Sequence, residues 1–198
     1  MRSPRGGDPP RWIRRHRALG LLALLIGLPA RSDDLDTLMQ RLARHRHGEA
    51  SFVEQHFMRL LKRPVESMGE LRFDAPDRLE KRTLEPQPED LVLEGEELRV
   101  TRHGRTRTAS LADYPRIRPL IESIRATLAG DRAALEQVFE VHFFGDLERW
   151  SLLLVPRDAD SRVTQVQIEG ARDELLMVEV RERSGDRSLL TLREHPAP

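Results

Sequence analysis

Hydrophobic and polar residues alternate along most of this chain, with the period of two that predicts β-strands with one buried face. The clearest case runs from Phe139 to Phe143, where odd-numbered residues are apolar and even-numbered ones are polar. A similar apolar face occurs at 150–154. Turn residues such as Gly95 separate successive short strands, which favours antiparallel pairing over parallel crossovers. The pattern predicts one strongly curved antiparallel sheet of ten or eleven strands.

Two stretches change to the period of an amphipathic helix. The first covers 33–47 and is expected to stop at Gly48, and the second covers 115–129. Their apolar positions are Leu35, Leu38, Met39 and Leu42 in the first, and Ile117, Leu120, Ile121, Ile124 and Leu128 in the second. We therefore expect an α+β fold, mainly antiparallel β, with both helices on the concave side of the sheet.

The N-terminal segment has the composition of an export signal. Four Arg at 11–17 precede the uncharged run 18–28, which is too short to span a bilayer comfortably. We predict cleavage near Ala30, which divides the chain into a signal peptide at 1–30 and a mature domain at 31–198. The mature protein is then soluble in the periplasm. An uncleaved membrane anchor is the alternative.

The charge balance disfavours nucleic acid as a partner. The full chain has 33 basic and 33 acidic residues, and removing 1–30 takes away six Arg and one Asp, which leaves 27 and 32 and a net charge of −5. A nucleic-acid surface needs clustered basic charge, and tight docking on anionic lipid needs it too. The chain has no Cys, which excludes disulfides, thiolate nucleophiles and Cys-bound metals.

Candidate catalytic groups are scattered along the chain. His45 and His47 lie two apart on the first predicted helix, so they point to different faces and suit a metal poorly. His142 lies opposite an apolar face. No nucleophile elbow, zinc-protease, P-loop or dinucleotide-binding motif occurs. We expect the chain to have no enzymatic activity, no cofactor and no metal site. A hydrolase or transferase that acts on lipid is the less favoured alternative.

An ordered set of motifs runs through 52–100, about a quarter of the chain. The set comprises Phe52-x-x-x-His56-Phe57, then Pro64-Val65-x-Ser67-x-Gly69-x-Leu71-x-Phe73-x-Ala75-Pro76-Asp77-x-Leu79, then Thr83-x-x-Pro86, then Leu91-Val92-x-x-Gly95-x-x-Leu98. This set resembles the LolA-like family of periplasmic outer-membrane lipoprotein carriers. No single motif is diagnostic, and the order of the set carries the resemblance.

The resemblance implies an unclosed, half-open β-barrel whose helices cover the concave face as a lid. It also implies a function, which is to hold the acyl chains of lipoproteins or other lipids in an apolar interior and carry them toward the outer membrane. The implied partners are those acyl chains, an inner-membrane donor and an outer-membrane acceptor, and the implied state is a monomer. At one position the chain departs from the family, since Glu80 stands where classical carriers have an arginine that helps to hold the lid closed. A non-catalytic lipid or lipoprotein sensor, or a partner-binding module of the same fold, is the alternative function.

Eight apolar residues are expected to line the lipid-binding cavity, because they lie on apolar faces of strands and of the second helix. They are Phe73, Leu79, Leu93, Val100, Ile121, Ile124, Phe143 and Leu152. The alternative is that the same residues pack a solid core, since a container and a core show the same periodicity.

Overall fold

The computed structural model describes residues 32–114 and 118–194, which belong to one structural unit. The predicted signal peptide at 1–30 lies outside the described residues. Within them, the helices are α1 (Ser32–Leu42), α2 (Arg118–Leu128) and α3 (Arg132–Val138), with a 3-10 turn at Leu111–Asp113. The strands are β1 (His47–Phe57), β2 (Val65–Asp74), β3 (Arg78–Glu85), β4 (Glu89–Glu94), β5 (Glu97–Arg102), β6 (Arg105–Ser110), β7 (Phe139–Gly145), β8 (Trp150–Pro156), β9 (Val163–Ala171), β10 (Glu174–Glu182) and β11 (Arg187–Glu194).

The strands of the described residues form one antiparallel sheet in the order β6-β5-β4-β3-β2-β1-β11-β10-β9-β8-β7. Strands β1–β6 form a first meander and β7–β11 a second. The two meanders join through β1 and β11, where Phe52 pairs with Leu192. Strands β6 and β7 are the two edges and are not neighbours in this order. The sheet is therefore unclosed, and the predicted antiparallel architecture is confirmed.

The boundary between α1 and β1 differs from the prediction. The helix ends at Leu42, and Gly48 lies inside β1, where it pairs with Phe73 of β2. The apolar periodicity also stops at Leu42, since the next four residues are Ala-Arg-His-Arg and offer little to bury. Pairing with β2 gives the backbone of His47 to Glu49 a partner that a longer helix would not provide.

The sheet bends around α2. Two clusters of buried apolar residues occupy the concave side, one formed by α1 with the second meander and one formed by strands β2–β5. Ile124 and Leu128 of α2 pack against both clusters. A single helix reaches both meanders only if the sheet curves toward it, so α2 lies on the concave side, as predicted.

Helix α1 covers the neighbouring part of the same face. Leu38 and Leu42 are fully buried among residues of the second meander. The turn after α2 approaches α1 closely at Gly130, whose φ is +64° and where a Cβ atom would lie 2.1 Å from the carbonyl oxygen of Met39. Only glycine permits this approach. The two helices are thereby fixed against each other at the end of α2.

Candidate functional site

A cavity of about 220 Å³ lies between α2 and the concave face of the sheet. Leu120, Ile121, Ile124 and Leu128 of α2 form one wall. The other apolar walls come from both meanders, namely Leu71, Phe73, Leu79 and Leu91 from the first and Leu175, Val178, Val180, Leu190 and Leu192 from the second. The space is therefore enclosed mainly by hydrocarbon and is suited to an apolar ligand.

Small residues on β1 leave this space open. Gly48 and Ala50 line the cavity and lie on the same face of the strand as the buried Phe52. A Cβ atom built at Gly48 would have no neighbour within 4 Å. Gly48 is exposed and Ala50 is half-buried, so larger side chains at these two positions would reduce the space along the cavity wall. The small side chains of these two residues thus contribute to the space along the central strand of the sheet.

Four charged residues contribute to the cavity lining. Glu49 and Arg72 alternate along their strands with inward residues and face away from the space, so the charged side chains on the inner face are Glu54 of β1 and Lys81 of β3. They form an ion pair, and their side chains are 20% and 28% exposed, respectively. Ser188 of β11 belongs to the lining as well, and its hydroxyl lies 2.9 Å from Nδ1 of His56. One region of a largely apolar wall is therefore polar.

Helix α2 is held against the first meander by Arg125. Its Nη1 donates a hydrogen bond of 2.7 Å to the carbonyl oxygen of Gly95, in the turn between β4 and β5. Another arginine of the helix, Arg118, pairs instead with Glu122 one turn along. The hydrogen bond to Glu122, followed by its charge, raises the pKa of Arg118 above its ordinary value. Arg125 is thus a contact between the helical wall of the cavity and the sheet.

The structure brings together four of the eight residues named from the sequence. Phe73, Leu79, Ile121 and Ile124 line the cavity. Leu93 and Val100 lie beside it, in the cluster that contains Phe73 and Leu79, and Leu93 is fully buried.

Phe143 and Leu152 occupy a different place. They pack in the cluster of the second meander and do not belong to the cavity lining. They are paired directly across β7 and β8. Their apolar alternation is the same as that of the lining residues, which is why the pattern alone did not separate them.

The second meander contributes lining residues that the sequence did not reveal. Strand β10 is apolar on both faces at 175–178, and the adjacent Leu189 and Leu190 interrupt the alternation in β11. A register shift between Leu175 and Met177 also changes the phase of β10. The alternation of apolar and polar residues along β10 and β11 therefore does not identify which face of these strands points into the cavity. The small side chains of Gly48 and Ala50, at alternate positions in one strand, were the available signal for an open space.

Glu80 faces away from the cavity. It lies between Leu79 and Lys81, which both line the cavity, and successive strand residues point to opposite faces. Its carboxylate accepts hydrogen bonds from Arg78 on the outer side of the sheet. Glu80 is therefore not a contact to α2, and the cationic side chain on the inner face of β3 is Lys81.

The described residues contain one partial catalytic arrangement and no cluster of metal ligands. Ser188 and His56 form a hydroxyl–imidazole pair, but no carboxylate is hydrogen-bonded to that imidazole among the contacts of residues 32–114 and 118–194. A nucleophilic serine ordinarily needs such an orienting group and an oxyanion site. In the same residues no three His, Asp or Glu side chains are grouped to hold a metal ion.

None of the described helices has the length and apolarity required to cross a membrane.

Comparison with protein families gives a match over residues 27–194 to a family described as outer membrane lipoprotein carrier protein, LolA-like. Comparison with curated protein sequences gives no significant match.

Several solved structures are similar at low identity. A LolA superfamily protein from Nitrosomonas europaea is 10% identical, with 83% of this chain and 95% of that chain covered and a TM-score of 0.44. Lipoprotein LppX from Mycobacterium tuberculosis is 9% identical, with 83% and 96% covered and a TM-score of 0.44. The Pseudomonas aeruginosa MucA/MucB complex gives 17% identity and a TM-score of 0.45, with 83% of this chain and 58% of that chain covered.

Proposed function

The chain belongs to the LolA-like family of outer membrane lipoprotein carriers, and we propose that it holds acyl chains of lipoproteins or other lipids in the cavity beneath α2 and shuttles them toward the outer membrane. The observation that supports this most directly is the cavity itself, a mainly apolar space lined by α2 and by both meanders. The proposal is for a binding protein without catalytic activity.

The energetics of such cargo require a container. Burial of one CH₂ group is worth about 0.8 kcal/mol, so an acyl chain of about sixteen carbons represents on the order of 10 kcal/mol. Free diffusion of that chain through water is correspondingly rare. A carrier has to offset most of this free energy and still release the chain, and an apolar wall on a separate helix serves both requirements.

The size of the cavity limits what it holds with α2 in place. Its volume of about 220 Å³ is roughly one and a half times that of an apolar cavity of about 150 Å³ that takes up benzene. This is room for a segment of one acyl chain. A longer chain, or a second one, requires α2 to move away from the sheet, and the contact between Arg125 and Gly95 has to break when it does.

The proposal includes export. Residues 1–30 act as a cleaved signal peptide, and 31–198 is the periplasmic carrier domain. Donor and acceptor proteins at the inner and outer membranes, and a monomeric carrier between them, belong to the same proposal. The charge-rich sequence, with 33% charged residues overall, supports a stably dispersed protein in an aqueous compartment.

Filling the cavity tests this function. Gly48→Leu adds an isobutyl group on the inner face of β1, where nothing lies within 4 Å of the new Cβ. We expect the variant to fold with unchanged circular dichroism and to lose most of the saturable binding of N-phenyl-1-naphthylamine, an uncharged fluorescent apolar probe. The reason is that the new side chain occupies the space of the ligand.

The matched control is Val53→Phe, which adds bulk to the outer face of the same strand, where Val53 is 41% exposed. It should bind the probe as the wild type does. Equal binding by wild type and Gly48→Leu would show that the cavity is not the binding site. Absence of saturable binding by the wild type would instead favour the sensor or partner-binding alternative.

A further inference from the structure

The ion pair between Glu54 and Lys81 lies on the inner face of a mainly apolar wall, whereas the other charged residues of the lining, Glu49 and Arg72, pair with each other at outward, exposed positions. The two residues of the first pair occupy inward positions, Glu54 two residues after Phe52 on β1 and Lys81 two residues after Leu79 on β3. Placing two charges in a partly buried wall costs desolvation free energy that apolar residues would not cost. A plain container for acyl chains has no need of them, so the pair calls for a separate explanation.

The pair is held in a defined position. The ring of Phe52 lies over Gly69 of β2, where a Cβ atom would come within 3.0 Å of the ring. The ammonium group of Lys81 lies over the same ring, 4.9 Å from its centroid. Ser67 donates a hydrogen bond of 3.4 Å to the carboxylate of Glu54. The ring of Phe52 therefore contacts the ammonium group of Lys81, and the hydroxyl of Ser67 contacts the carboxylate of Glu54.

The pair retains capacity for a ligand. An ammonium group has three N–H donors, and a carboxylate has about four lone-pair sites. One donor of Lys81 is used by Glu54, and Glu54 accepts from Lys81 and Ser67. Both groups line the cavity, so donors and acceptors remain beside the space where the acyl chain would lie.

The charge of the pair restricts the head group that it can accept. An anionic head group is attracted by Lys81 and repelled by Glu54 at a similar distance. A cationic head group is attracted by Glu54 and repelled by Lys81. A neutral head that both donates and accepts hydrogen bonds satisfies both partners without either repulsion. Amides and hydroxyl-bearing esters have this chemistry.

We infer that Glu54 and Lys81 bind the neutral linkage at the head of a single acyl chain, of the kind found in N-acyl amides and acylglycerols. The inference rests on the proposed function, because it assigns the head group of the ligand whose chain fills the cavity. It also assigns Lys81 a role on the inner face of the sheet that is distinct from holding α2.

Chain-matched ligands test the assignment by displacement of N-phenyl-1-naphthylamine at mildly alkaline pH. Decanamide and monodecanoylglycerol carry neutral heads, decanoate an anionic one and decylammonium a cationic one. We expect at least one neutral ligand to bind the wild type about fivefold more tightly than either charged ligand, a factor that corresponds to one net hydrogen bond. The comparison of amide with glyceride then identifies the source of the head group.

Two single variants should change the preference in opposite directions. Glu54→Gln leaves Lys81 unneutralised, so decanoate should gain about fivefold in affinity relative to decylammonium. Lys81→Gln leaves Glu54 unneutralised, so decylammonium should gain instead. The double variant Glu54→Gln/Lys81→Gln has no net charge at this position, so it should discriminate against neither decanoate nor decylammonium. It also tests the inference if one of the single variants folds poorly.

The outcomes separate this inference from the carrier function. If all four ligands displace the probe equally from the wild type and from the two single variants, the charged pair does not contact the ligand and the inference is overturned, while the carrier function stands. If the wild type does not bind the probe, the carrier function fails and this inference fails with it.

Discussion

Two glycines on adjacent strands, Gly69 and Gly48, have very different packing around them. At Gly69, a Cβ atom would lie 1.9 Å from the carbonyl oxygen of Arg82 and 3.0 Å from the Phe52 ring. At Gly48, a Cβ atom would have no neighbour within 4 Å. The first glycine is required by a close approach of backbone, and the second leaves open space that the proposed ligand uses.

The same substitution at the two sites should therefore give different results. We expect Gly69→Ala to lower the free energy of unfolding by roughly 1–3 kcal/mol, the usual range for overpacking. Gly48→Ala should change it by less than about 0.5 kcal/mol. Urea denaturation followed by circular dichroism measures both, and similar losses at the two sites would contradict the packing described here.

The sequence pattern includes Gly69 but does not indicate why this position needs glycine. Gly69 belongs to the motif set that resembles the LolA-like family, but the ring of Phe52 over it is a contact between strands that no local pattern encodes. The local pattern at Gly48 indicates a helix stop, because glycine often follows a helix end. Its real position in β1 depends on pairing with Phe73, which is remote in the sequence.

At the scale of secondary-structure elements, α2 is the part of the molecule whose attachment matters most for the proposed function. Its apolar face closes the cavity, and Arg125 joins its outer side to the turn at Gly95 with a 2.7 Å hydrogen bond. The side chain of Arg125 is 21% exposed, so solvent screens this contact only partly.

Arg125→Met keeps most of the aliphatic side chain and removes the hydrogen bond. We expect a loss of about 1 kcal/mol in the stability of α2 against local opening, since the donor is charged and partly exposed. Hydrogen exchange of the amides in 118–128 should become about fivefold faster. Arg118→Met is the control, because the ion pair of Arg118 within the described residues is with Glu122 of the same helix, and pairs of this kind contribute roughly 0.3–0.5 kcal/mol. Equal acceleration in the two variants would show that Arg125 does not fix the helix to the sheet.

The elements themselves were largely predictable, whereas their arrangement was less so. Tight turns such as the one at Gly95 mark hairpins within a few residues, so the antiparallel strands were predicted correctly. The pairing of β1 with β11 joins Phe52 to Leu192, and such long-range pairing leaves no local signal. For that reason the contribution of β10 and β11 to the cavity was missed. Phe143 and Leu152 were assigned to the lining although they pack in the cluster of the second meander.

For the whole molecule, the sheet of two meanders bent around α2 accounts for a cavity that neither meander would enclose alone. The first meander contributes Phe73 and Leu79 and the second contributes Leu190 and Leu192, and the cavity continues along β1, the strand of the first meander that pairs with the second. If the chain is exported and binds acyl chains as proposed, it should retain them through handling in dilute buffer, because each buried methylene adds about 0.8 kcal/mol.

Native mass spectrometry of the protein purified from the periplasm of its own bacterium, without detergent, tests the central claim most directly. We predict a mature chain that begins near Arg31 and carries an additional mass, which dissociates on activation and matches a molecule with at least one acyl chain. Gly48→Leu, purified in parallel, should appear without that mass. A wild-type spectrum that contains only the polypeptide, from a protein that also fails to take up acyl ligands added afterwards, would contradict the account.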